Sequence, residues 1–131
     1  MLALTLTYPL GNSDEDPEDL LTFEGAEAIP KPDPTDDPLR WRRGLVMIDF
    51  FGLNRDGLQF NRASWLLKTV WPDVKLMRAG DLEANDNVDW LCSEQAPFTS
   101  CAKCFVDACA ADPSAPDRLL PVLRLIVGTV R

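Results

Sequence analysis

The chain reads as an α+β protein: a small mixed sheet with two or three helices, and an extended acidic, proline-rich arm at the amino-terminal end. Three observations carry that expectation. Residues 2–8, LALTLTY, alternate Leu2, Leu4, Leu6 and Tyr8 against Ala3, Thr5 and Thr7, the period-two pattern of a strand with one buried face. Helix start and stop signals bracket the cysteine-bearing stretch around residue 100. Acids and prolines crowd the segment between that first strand and residue 38.

The elements follow in order. Pro9 ends the first strand, and residues 11–38 carry five prolines, Pro17, Pro30, Pro32, Pro34 and Pro38, around an apolar island, LLTFEGAEAI. Proline fixes φ and pushes its predecessor out of the helical region, so PKPDPTDDP is expected to be extended. Residues 1–38 are therefore read as a strand plus an arm, and 39–131 as the compact body. Within the body, the nearly continuous apolar run from Leu45 to Leu53 suits a central strand, and the turn signal NRDG at 54–57 returns the chain through Leu58 to Phe60 as a hairpin partner. A helix is expected from Asn61 as N-cap to Val70, stopped by Pro72, then a short strand at Val74 to Met77 and a turn at Gly80. DLEANDNVD reads as a polar loop or short helix, because the acid spacing departs from a calcium loop at its sixth position, Asp86, and at its twelfth, Cys92. A helix capped by Thr99 or Ser100 runs to Ala111, where Asp112 and Pro113 end it. SAPDRLL reads as another helix start, with Ser114 as cap and Asp117 in the first turn. After Pro121 the segment VLRLIVGTV either extends that helix or forms a terminal strand, which its β-branched residues narrowly favour.

Charge is placed unevenly along the chain. Residues 1–38 hold ten acids against one base, a balance of −9, whereas residues 39–131 hold eleven acids against twelve bases, a balance of +1. A concentrated acidic segment repels nucleic-acid backbone and favours basic protein surfaces. The candidate partner-binding residues are accordingly Asp14, Glu15, Asp16, Glu18, Asp19, Asp33, Asp36 and Asp37. Arg40, Arg42 and Arg43 of RWRRG are expected to pair with the protein's own acidic arm, or to flank the start of a strand, rather than to bind phosphate.

Histidine is absent from all 131 residues, which removes the commonest general acid and base and the usual activator of Ser or Cys nucleophiles. The four cysteines, Cys92, Cys101, Cys104 and Cys109, are spaced C-x8-C-x2-C-x4-C. On a helix, Cys101, Cys104 and Cys109 fall within about 140° of one another, so with Cys92 folded back they are candidate ligands of one zinc ion. Only half of a paired C-x2-C pattern is present, and cysteine is also among the most frequently buried residues, so small core side chains are the competing reading. The opening MLALTLTYPL lacks a basic leader, and the apolar run LLPVLRLIVGTV is short and carries Arg124, so a cytoplasmic protein without a membrane span is expected.

The functional expectation is a non-enzymatic interaction protein, an inhibitor or assembly subunit, docking without cofactor on a basic protein surface through its acidic arm. A zinc-stabilised adaptor built on the four cysteines and an acidic mimic of nucleic acid are the alternatives.

Overall fold

The computed structural model describes residues 17–129. Mixed helix and strand is what it shows, with helix dominant and the sheet reduced to one antiparallel hairpin. The expected strand at 2–8 lies outside the described residues. The arm expected to be extended up to residue 38 is folded where it is described: α1 (Pro17–Leu20), β1 (Leu21–Glu24), β2 (Glu27–Pro30), then a turn that leads into a helix. The apolar island LLTFEGAEAI supplies this hairpin. Gly25 has φ +59°, the positive value that the first of two hairpin-loop residues takes in a type II′ turn.

The described residues fall into two compact units. The first comprises 17–22 and 27–55, the second 23–26 and 56–129.

In the first unit, α2 (Pro38–Phe50) packs on β2. This corrects the strand expected from Leu45 to Leu53. The helix starts because Asp37 accepts a hydrogen bond from the Arg40 N–H at 3.4 Å and Pro38 occupies the first helical position, where its missing N–H costs nothing. Gly44 and Met47 are its buried residues. A Cβ at Gly44 would sit 2.8 Å from the Leu20 carbonyl oxygen and 3.0 Å from the Pro30 Cβ, so only glycine lets the helix approach that closely. Asn54 then ties the end of the unit to β2, donating to the Ala28 carbonyl and accepting from the Ala28 N–H, each at 2.8 Å.

The second unit is a helical bundle. The hairpin expected at Leu58 to Phe60 is instead part of α3 (Asp56–Trp65), which starts ahead of Asn61. Pro72 does not stop the chain. It lies in α4 (Trp71–Arg78), reached from α3 through a π-helical turn, Leu66–Val70, in which the Trp71 N–H bonds the Leu66 carbonyl. A proline ring clashes with the carbonyl four residues back in a regular α-helix, and the wider π turn relieves that crowding just ahead of Pro72. The short strand expected at Val74 to Met77 is therefore helix. A turn with Gly80 at φ +97° leads to α5 (Leu82–Leu91), capped by Asp81, whose Oδ1 accepts from the Ala84 N–H at 3.1 Å. Helix α6 (Thr99–Ala111) has the expected span and ends at Asp112. Its start differs, because Phe98 takes the cap position with φ 53° and the Thr99 hydroxyl donates outward to the Ser93 and Ala96 carbonyls. The helix expected to start at Ser114 is α7 (Ala115–Thr129), and it continues through the exposed Pro121, so VLRLIVGTV extends it up to Thr129 instead of forming a strand.

The core of this unit is contiguous. Ala63, Leu66, Val70, Val74, Val88, Leu91, Phe105, Leu119 and Leu123 are buried together, and Trp71 meets Phe105 edge-on with ring centroids 6.4 Å apart. No helix among the described residues is long and apolar enough to cross a membrane.

Candidate functional site

The four cysteines are dispersed by the helices that carry them, and all are free thiols. Cys92 caps the end of α5 and is half-buried; Cys101 and Cys109 lie in the bundle core; Cys104 is half-buried on α6. Among the described residues no group of three or more His, Cys, Asp or Glu side chains is gathered where it could hold a metal ion. Cys101 has a structural partner: its Sγ donates to the Gly25 carbonyl at 3.3 Å. The neighbouring Ala26 carbonyl accepts from Arg62 Nη1 at 2.9 Å, and the same guanidinium lies over the Phe23 ring, 4.8 Å from its centroid. Thiol and guanidinium thus hold the hairpin turn of the second unit. Burial pushes the Cys101 thiol up to about 12 and raises Cys92 and Cys109 as well. These three are protonated at neutral pH, and the thiolate is the form that attacks electrophiles or ligates metal.

The acids singled out from sequence divide into groups. Asp14, Glu15 and Asp16 lie outside the described residues, and Glu18 falls in α1. Asp33 Oδ1 accepts from the N–H groups of Thr35 at 2.7 Å and Asp36 at 3.1 Å, and the Asp36 bond leads in holding its carboxyl below the usual value. Asp37 caps α2 and pairs with Arg40 at 3.5 Å, the self-pairing expected for one of the three arginines. Asp19 and Asp36 are exposed. Asp19, Lys31, Pro32, Asp37 and Arg40 line an open cleft of about 440 Å³.

Sequence reasoning missed the outward face of α2. At 100° per residue, Leu39, Val46 and Phe50 fall within about 40° of one another, and Arg42, Asp49 and Leu45 extend that face to an arc of about 140°. Every one of the six is exposed, Leu39 at 68% and Phe50 at 53%. Phe51 adds a ring at the helix end, edge-on to Phe50 with centroids 4.8 Å apart. The signal was present in the sequence as Asp37-Pro38, an N-cap followed by proline at N1, which converts the following apolar run from strand to helix and turns half of it outward.

No family model, no curated protein and no solved structure matches the chain.

The outward face of α2 has the composition common in protein contacts, large apolar and aromatic side chains on either side of a single oppositely charged pair, Arg42 and Asp49. The acidic loop that carries Asp33 and Asp36 leads directly into the start of that helix.

Proposed function

We propose that this is a non-enzymatic interaction protein, an inhibitor or assembly subunit, that meets a protein partner through the outward face of α2. The observation that carries the reading is the exposure of Leu39, Leu45, Val46, Phe50 and Phe51 within and at the end of one 13-residue helix. Concentrated exposed apolar surface marks a contact site, whereas single exposed apolar residues are ordinary. Asp19, Asp33 and Asp36 give the same unit a negative surface, which speeds encounter with a basic rim and slows and weakens encounter with an acidic one. The absence of histidine from the sequence supports a role without proton-transfer chemistry.

The test uses a defined probe, a fluorescent model helix with leucines along one face and lysines along its edges. Anisotropy should rise on titration with the full chain, and the rise should weaken with Phe50→Asp, with Asp33→Lys/Asp36→Lys and with added salt. Binding that ignores Phe50→Asp would place the contact elsewhere and overturn the reading.

A further inference from the structure

The outward face of α2 is complementary to itself. Arg42 and Asp49 are seven positions apart, so they lie within about 20° of each other on the helix, equidistant from a midpoint between Leu45 and Val46 and each about 5 Å from it along the axis. Run a second α2 antiparallel across that midpoint, with a two-fold axis perpendicular to both helices. Arg42 of each copy then lies opposite Asp49 of the other, giving two ion pairs related by symmetry. Leu45 and Val46 meet their own counterparts beside the axis. Leu39 of one copy reaches the level of Phe50 of the other, on the same edge of the helix pair, and the reverse contact follows. All six exposed residues of the arc find a chemically matched neighbour in this one arrangement, the condition that an isologous interface must satisfy.

From this match we infer that the partner seated on α2 is a second copy of this chain, docked as an antiparallel helix pair about a two-fold axis. The inference rests on the reading of α2 as a contact face and names its occupant. One pair of 13-residue helices buries less than the roughly 1,200 Å² that separates stable complexes from transient ones, so the dimer is reversible and dissociates on dilution. The net charge of −8 on each copy works in the same direction, because two like-charged molecules repel. The Arg42–Asp49 pairs fix register and orientation, and the apolar residues supply the attraction.

Sedimentation velocity on the full chain across a dilution series tests it. The chain should pass from dimer to monomer on dilution. Arg42→Asp and Asp49→Arg each set two like-charged pairs facing one another, and each alone should weaken the dimer about tenfold or more. An equimolar mixture of those two variants should associate again as a heterodimer, and the double variant Arg42→Asp/Asp49→Arg should recover self-association. Both positions are exposed, and thermal unfolding of each variant checks that the fold is intact. A chain that stays monomeric at every concentration overturns the inference, as does a dimer indifferent to both charge reversals, or a mixture that fails to recover. Binding of the lysine-edged helix by a strictly monomeric chain would overturn self-association while leaving α2 as the contact face. Loss of both would remove the contact face as well.

Discussion

The two units of the molecule use apolar residues in opposite ways. In the second, Phe105, Leu66, Val70, Val74 and Leu123 are sealed in one contiguous core, and its exposed large apolar residues, Leu76, Leu82, Trp90, Val122 and Leu125, are spread over three helices. In the first, the buried apolar side chains are Leu20, Ala28 and Met47, whereas Leu39, Leu45, Val46, Phe50 and Phe51 stand outward on or beside a single helix. A fold dominated by the hydrophobic effect sends large apolar groups inward. The first unit instead rests on close backbone approach at Gly44, on the Asp37 cap and on the paired hydrogen bonds of Asn54, and it leaves five large apolar side chains on its surface.

This contrast makes ordered predictions. Phe105→Ala should have the largest effect, a loss of about 3–5 kcal/mol in chemical denaturation, because it removes a fully buried ring and leaves a cavity in the core. Gly44→Ala should follow at about 1–3 kcal/mol, since the new methyl meets the Leu20 carbonyl oxygen and the Pro30 ring rather than a yielding side chain. A small loss there would show the first unit to be looser than the account requires.

Alkaline pH should then separate the units further. Cys101 is neutral in the folded state up to about 12, whereas in the unfolded chain it ionises near its ordinary value of 9.0. Its contribution is fully present below pH 9 and is lost as pH rises from there towards 12, at about 1.4 kcal/mol per pH unit. Cys92 and Cys109 shift in the same direction. Stability measured by denaturant across this range should fall less steeply in Cys101→Ala, and an unchanged slope would contradict the burial assigned to that thiol. Asp37→Ala should cost about 1 kcal/mol through loss of the helix cap. Phe50→Ser should cost least, within about 0.5 kcal/mol in dilute solution, because the ring is already half in water.

Where local chemistry decides the outcome, the fold was legible from the sequence. The stop at Asp112-Pro113, the turn at Gly80 and the helix start after Ser114 are each set by one or two residues and stand as expected. The errors come from elements whose apolar pattern is ambiguous. Leu45 to Leu53 is apolar nearly throughout, so periodicity alone does not separate a central strand from a helix exposed on one side. The β-branched residues of α7 argued for a strand, yet Leu119, Leu120 and Leu123 are buried at helical spacing against the bundle. Pro72 looked like a terminator because nothing local announces a π turn. The cysteines show the same limit: their shared face on α6 was readable, but the Gly25 carbonyl, 76 residues earlier in the chain, decides what Cys101 does.

The central claim is that the outward face of α2 belongs to protein contact and not to the fold of its own chain. Thermal unfolding midpoints of the natural chain and of Leu39→Ser/Val46→Ser/Phe50→Ser, each followed over a range of protein concentration, test it directly. Association stabilises the folded state by mass action, so the account predicts that the two midpoints coincide at high dilution and that only the natural chain's midpoint climbs as concentration rises. A triple variant that melts well below the natural chain even at the highest dilution would show that the face is part of the interior, and would contradict the account.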